Sequence, residues 1–291
     1  MFKWRHFEPA VITCAVGWYL RFSLSYRDVE ELLTERGLPA DHTTIWRWVQ
    51  RYAPELSKRC RRELKPTNRS WRVDETYIRV KGKWTYLYRA VDSAGATIDF
   101  LLAARRDAAA AKHLFQNALL VPGHPRPRVI NVDGNPSYPK VVAELKQEGK
   151  LRRRCRCCTC PYLNNIVEQD HRAIKRRVNA SQGFRSFHGA RRTIQGYEVV
   201  HMIRKGQVRW LPKGDVLGLI RFLNETLGAS WERNYTGLAS GGIPPPRGFC
   251  NTTPFGADET AFGKAFLHFF PSGGQFLKRT STPFGVRNVW M

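Results

Sequence analysis

Acidic residues are scarce in this chain: 24 Asp and Glu stand against 48 Lys and Arg in 291 residues, a formal net charge of +24. An imbalance of that size disfavours a cationic partner and favours a polyanion, because each neutralised phosphate releases condensed counterions. Nucleic acid leads that class. Long hydrophobic runs are also missing. The longest near the start, Ala10 to Leu20, is too short to cross a bilayer, and no basic amphipathic helix offers itself to a membrane surface. No small-residue cleavage site follows a charged leader, so the chain reads as cytoplasmic. Cysteine is present in an odd number, seven, with four crowded between Cys155 and Cys160. That is no secreted disulfide framework, and reduced thiols are expected. There is no internal repeat, and the length suits two modest domains or one larger domain with appendages.

What is there begins with "SLSYRDVEELLTERGLPADHTTIWRWVQRYAPEL". Ser25 can cap a first helix with Val29, Leu32 and Leu33 at helical spacing, and Gly37 and Pro39 stop it. Asp41 or Thr43 can cap a second, whose apolar face is Ile45, Trp48, Val49 and Tyr52 and which is expected to end at Pro54. This is a helix-turn-helix pattern. It would place Thr43, Thr44 and Arg47 in a major groove, although an ordinary helical hairpin has the same pattern. Residues 1–64 are read as this DNA-binding domain with its basic linker.

From Ser70 the period changes to alternation. "WRVDETYIRV" and "WTYLYRAVD" are strands joined at Lys81-Gly82-Lys83, and a third strand runs from about Ala96 to Ala103. A helix over "RDAAAAKHLFQNALL" and a short strand in "RVINVDGNP" follow. Three antiparallel strands, a helix, a strand and further helices make the order of a ribonuclease-H-like domain, a mixed sheet with flanking helices, over 65–229. Asp74 then lies within the first strand and Asp133 at the end of the fourth, its neighbour in that fold. Asn164 or Asn165 can cap a helix that has Glu168 in its first turn, with Val167, Ile174 and Val178 as its inward stripe. His171, Arg172 and Lys175 share the adjoining face with Glu168. Three acids from three elements can ring one spot, where Mg²⁺ is a suitable occupant and a pair of ions can run in-line phosphoryl displacement. An isolated Glu168 paired with Arg172 is the bland reading.

Asp133 and Glu168 are separated by 34 residues, and Lys175 stands seven after the Glu. With "WRVDETYIRVKGKWTYLYRAVD" and "YLNNIVEQDHRAIKRRV", this resembles the Asp-Asp-Glu transposases of bacterial insertion sequences, the cointegrate-forming IS-six family in particular, over about Phe2 to Ala229. The resemblance implies that Asp74, Asp133 and Glu168 are catalytic and hold two Mg²⁺ ions, with Mn²⁺ as a substitute. It also implies DNA contacts by Lys175, His171, Arg172 and Arg176, a homo-oligomer pairing two element ends near the nucleoid, strand cleavage by water, and attack of the freed 3′-hydroxyl on target DNA. A ribonuclease-H-like nuclease would lack the reading module, and a catalytically silent regulator would not need the acids.

Two features depart from the family. "RRRCRCCTC" replaces an ordinary basic strand, and its adjacent cysteines are badly spaced to wrap one zinc ion, so codon drift or small apolar filling is expected. Residues 230–291 hold eight of the sixteen phenylalanines among frequent Gly and Pro with no sustained period, and read as a poorly ordered extension.

Overall fold

The change of period at residue 70 is where the sheet begins. In the computed structural model, which describes residues 7–121 and 123–227, β1 (Ser70–Val80) and β2 (Lys83–Asp92) form an antiparallel hairpin. Its turn uses Lys81 and Gly82 at φ 50° and 74°, the left-handed pair that matches strand twist and that Gly82 adopts without strain. β3 (Thr97–Ala103) adds antiparallel to β2, whereas β4 (Val129–Val132) and then β5 (Arg156–Thr159) add in parallel beyond β1. The order is β3-β2-β1-β4-β5. β4 reaches only Ser70 to Val73 of its neighbour. Beyond Val73 that edge of β1 has no strand partner among the described residues until a bridge from Phe184 to Val80.

Strand alternation sorts side chains into two cores. On one face Trp71, Val73, Ile130 and Val132 pack against α4 (Ala108–Leu120) and α5 (Ser137–Gln147) through Leu114, Phe115, Val141 and Leu145. On the other Ile78, Val80 and Leu87 meet α6 (Asn165–Ala180) and α7 (Phe187–Arg204), and the expected stripe of Val167, Ile174 and Val178 is buried. Cys155 is buried and Cys157 packs beside the first core, so two of the four crowded thiols are apolar filling.

The apolar run at the start folds as α1 (Pro9–Arg21), followed by α2 (Tyr26–Thr34) and α3 (His42–Cys60). Ser25 and Asp28 exchange both bonds of a capping box at α2, and Asp41 caps α3. Pro54 does not end α3. It removes one ladder bond at a cost of about 3 kcal/mol, but Ala53, Leu56 and Cys60 on either side are fully buried and hold the helix together.

Near residue 64 the chain passes from helices to strands. Tyr19, Tyr52 and Leu56 share one apolar cluster with Tyr197 of α7 and Leu223 of α8 (Val216–Leu227), and all the described residues fall in one compact unit. At Gly196 a Cβ would stand 2.6 Å from Leu20 Cδ2 and 2.8 Å from Ala53 Cβ, so only glycine lets α7 approach α1 and α3 this closely. Among the described residues no helix is long and apolar enough to cross a membrane. The extension expected over 230–291 lies outside the described residues.

Candidate active site

Parallel pairing sets Val73 beside Val132, so the next residues, Asp74 inside β1 and Asp133 just past β4, stand side by side. Carboxylate oxygens of Asp74, Asp133 and Glu75 lie within 4.8 Å of one another. Glu75 was not anticipated, because alternation assigns it to the face opposite Asp74. It is also the saturated member. Its oxygens accept from Arg106 Nε, from the Tyr138 hydroxyl and, at 3.3 Å, from Asn135 Nδ2. Asp74 Oδ1 accepts the Glu75 backbone N–H at 2.8 Å, and Asp133 Oδ1 accepts that of Asn135 at 3.2 Å. Arg106 stands 3.7 Å from Asp133 Oδ2. This all-oxygen donor set suits a hard divalent cation, with Asp74 and Asp133 as the ligands least committed elsewhere.

A buried asparagine pair fixes the frame around these acids. Asn164 occupies the N-cap position of α6 but makes no cap bond. Its Oδ1 instead accepts from Asn131 Nδ2 of β4 at 2.8 Å, and its Nδ2 donates to the Val73 carbonyl of β1 at 3.1 Å. Asn131 in turn donates to the Cys160 carbonyl and accepts the Cys160 N–H. One amide network therefore joins the strand before Asp74, the strand before Asp133 and the helix that carries Glu168.

Glu168 stands in the first turn of α6, as its position in the sequence implies, but outside the close cluster. Its side chain is 55% exposed and lies 3.9 Å from Arg172. His171 is buried, with Nδ1 3.9 Å from Asp74 Oδ2, unlike its neighbour Arg172. Helix periodicity set it beside Arg172, but the ring turns inward under the sheet edge. Burial, reinforced by the Arg89 and Lys175 charges, drives its pKa down to about 3, so the imidazole is neutral.

The acids are electrostatically uncomfortable. Burial, with the charges of Asp133, Glu75 and Glu168 added and the Glu75 N–H opposing, pushes Asp74 up to about 7. Asp133 is also raised, first by burial and then by Glu75, against the Asn135 N–H and Arg106. Carboxylates shifted this way beside one another are characteristic of functional sites.

A family model described as a DDE domain matches residues 68–207. Over 210 residues the chain is 42% identical to the transposase for insertion sequence-like element IS431mec of Staphylococcus aureus, which covers 72% of this chain and 91% of that one. The transposase for insertion sequence element IS257 in transposon Tn4003, also from S. aureus, is 41% identical over the same shares. The chain belongs to the IS-six family of DDE transposases. It is an enzyme of the metal-dependent polynucleotidyl transferase class. A more remote neighbour is the HTLV-2 integrase catalytic core in complex with magnesium, 17% identical, with a TM-score of 0.37 over 50% of this chain and 97% of that one.

In this transposase the remaining basic candidates of α6 are accessible. Arg172 and Arg176 are exposed, and Lys175 rests its Nζ 4.5 Å from the Tyr77 ring centroid. At the start of α3, Thr43 and Arg47 are exposed and Thr44 is half-buried. The Thr43 hydroxyl is bonded to Asp41. Trp46, 44% exposed next to Arg47, was not anticipated.

Proposed function

We propose that this transposase binds the terminal repeats of its own element and carries out Mg²⁺-dependent strand cleavage and strand transfer of the cointegrate type. The observation that carries this reading is the convergence of Asp74 and Asp133 just past the end of the β1–β4 pairing, with more negative charge than their neighbours neutralise. Asp74, Asp133 and Glu168 are the catalytic ligands in this reading. Asp74 and Asp133 hold the cation pair, and Glu168 joins them by giving up Arg172. Mn²⁺ serves in place of Mg²⁺. Two divalent ions held there supply activation of the attacking oxygen and stabilisation of the leaving one. Arg172, Lys175 and Arg176 hold the DNA backbone beside the acids, and Glu75, clamped by Arg106 and Tyr138, keeps β1 and α5 in register. His171 supports Asp74 from below as a neutral ring. The α2–α3 pair acts as the helix-turn-helix, presenting Thr43, Thr44 and Arg47 to the end sequence. Pairing two ends requires at least two copies, which places a homo-oligomer on DNA at the nucleoid of a bacterial cytoplasm.

The test is an in-vitro strand-transfer assay with element-end DNA and Mg²⁺. Asp74→Ala, Asp133→Ala and Glu168→Ala are each expected to abolish cleavage while leaving end binding within about two-fold of wild type, since phosphate contacts made elsewhere supply most of the affinity. Strand transfer surviving Asp74→Ala or Asp133→Ala would sink the reading. Survival of Glu168→Ala alone would reduce the acid set to the two aspartates and leave Glu168 as a partner of Arg172.

A further inference from the structure

Beside the carboxylates, between the tip of the β1–β2 hairpin and α6, lies a groove of about 470 Å³ lined by Tyr77, Arg79, Trp84, Lys175, Asn179 and Gln182 among others. We propose that this groove is a stacking site for an unpaired nucleobase of the DNA substrate. The inference rests on the transposase reading but concerns a contact that the reading does not need.

The groove's composition is unusual for a protein surface. Tyr77 and Trp84 are 54% and 51% exposed, with ring centroids 4.9 Å apart in an edge-to-face pair that no core covers. Each ring carries a cation. The Arg79 guanidinium sits 4.8 Å from the Trp84 centroid, and Lys175 sits 4.5 Å from that of Tyr77. No carboxylate lines the groove, while Lys81, Lys83 and Arg176 are exposed around it. Exposed aromatic faces inside a positive groove are the combination that holds single-stranded nucleic acid, because any base can stack and the cations follow the backbone. Ile78 and Val178 give the groove an apolar floor on which a base face can rest, and the amides of Asn179 and Gln182 suit the polar edges of a base. When a base takes a ring face, Arg79 and Lys175 need only swing off the rings to reach the flanking phosphates.

The location fits the same occupant. Tyr77 is three residues past Asp74, about 10 Å along an extended strand. Lys175 is two turns past Glu168, again about 10 Å. α6 and β1 diverge from the acids in the same direction, since the chain just after α6 bridges Phe184 to Val80. At about 3.4 Å per nucleotide, the groove lies roughly three nucleotides from the carboxylates. α6 packs along the strand-free edge of β1, which brings Lys175 of the helix and Tyr77 of the strand together on the same side of the acids.

The experiment compares two fluorescent duplexes of one sequence, one blunt and one with its last three base pairs replaced by mismatches, bound to full-length protein without metal. The wild type is expected to prefer the frayed duplex by about five-fold or more, as one stacked base provides. Tyr77→Ala/Trp84→Ala is expected to lose that preference and keep its affinity for the blunt duplex, which also reports that the variant is folded. Tyr77→Phe/Trp84→Phe, which keeps both ring faces, is expected to retain the preference. A wild type without the preference, an alanine variant that keeps it, or an alanine variant equally weakened on both duplexes overturns the proposal. Strand transfer is measured in parallel. Its absence with the preference intact would count against the transposase reading and leave the groove assignment standing.

Discussion

Helix α6 carries two acids, Glu168 and Asp170, into opposite circumstances. Asp170 points into the molecule, where His201 Nε2 lies at 2.9 Å, Lys205 Nζ at 2.7 Å and Arg89 at 3.4 Å. Arg89, fully buried in β2, also pairs with the fully buried Glu198 of α7 at 2.5 Å. Burial alone would raise Asp170, but the His201 bond and the Arg89 and Lys205 charges hold it well below the usual carboxylate range. On the other side Glu168, Asp74, Glu75 and Asp133 answer only to Arg106 and Arg172 among the ion pairs of the described residues, and both aspartates are pushed up. The same sheet thus holds a cluster whose charges are matched within the chain and a cluster whose charges are not. A matched cluster can serve as structure. An unmatched one opposes folding unless something outside the chain completes it.

The largest effect should come from breaking the matched side. Arg89→Met leaves Glu198 buried without its partner and Asp170 short of a cation, a loss expected to cost about 3–5 kcal/mol. Urea unfolding of the variant should show it as a large drop in midpoint. Arg89 Nε and Nη1 and Glu198 Oε1 have no hydrogen-bond partner, so the network is imperfectly satisfied. Replacing the buried pair together, with Glu198→Gln added to Arg89→Met, leaves Asp170 matched by Lys205 and should therefore recover most of the loss. A single variant within about 1 kcal/mol of wild type would mean that Arg89 does not hold α6 and α7 to β2.

Much of this arrangement was legible because it is local. The hairpin at Lys81-Gly82, the cap at Ser25, the stripe of Val167, Ile174 and Val178, and the emergence of Asp74 and Asp133 from adjacent strands all follow from period and turn chemistry within short windows. What was not legible depends on partners far along the chain. Asn164 looks like a helix cap until Asn131 and the Val73 carbonyl compete for its amide. His171 shares a helical face with Arg172 on paper, but the edge of β1 decides that it is buried. Glu75 needs Arg106, Tyr138 and Asn135 to turn it toward Asp74. Pro54 signals an end to α3 that the packing of Leu56 and Cys60 overrides. The sharing of one core between α1–α3 and α7 turns on Gly196, more than 130 residues beyond them.

The asparagine pair sharpens the comparison, since it positions the unmatched acids without touching them. Asn164→Ala leaves buried polar groups on Asn131 and Val73 unpaired and is expected to cost about 1–3 kcal/mol. A purely structural role would stop there. If the pair instead holds the carriers of Asp74, Asp133 and Glu168 in register, the variant should need several-fold more Mg²⁺ to reach half-maximal cleavage at a temperature where it is fully folded. Unchanged Mg²⁺ dependence would confine Asn164 to stability.

The last expected effect runs opposite to the usual direction of mutation. With Asp74 raised from its ordinary 3.8 to about 7, the folded metal-free chain keeps a proton between about pH 4 and pH 7 that the unfolded chain has already released. Stability therefore falls as pH rises through that window, and Asp133, raised in the same sense, adds to the slope. Asp74→Asn removes the titrating group and can still accept the Glu75 N–H through its amide oxygen. At pH 7.5 without metal the variant should melt higher than wild type, by about 2–4 °C for each kcal/mol relieved in a chain of this size. Towards pH 4 the gap should narrow, because the folded chain keeps the Asp74 proton and the unfolded chain has by then regained a large part of its own. Adding Mg²⁺ at pH 7.5 should raise the wild type by mass action and leave the variant nearly unmoved, so that their order narrows or reverses. Melting curves at these two pH values, with and without Mg²⁺, measure all of this together. If Asp74→Asn melted lower at pH 7.5 in the absence of metal, the carboxylate would be stabilised by its neighbours, and the contrast between the two sides of α6 would fail at its central residue.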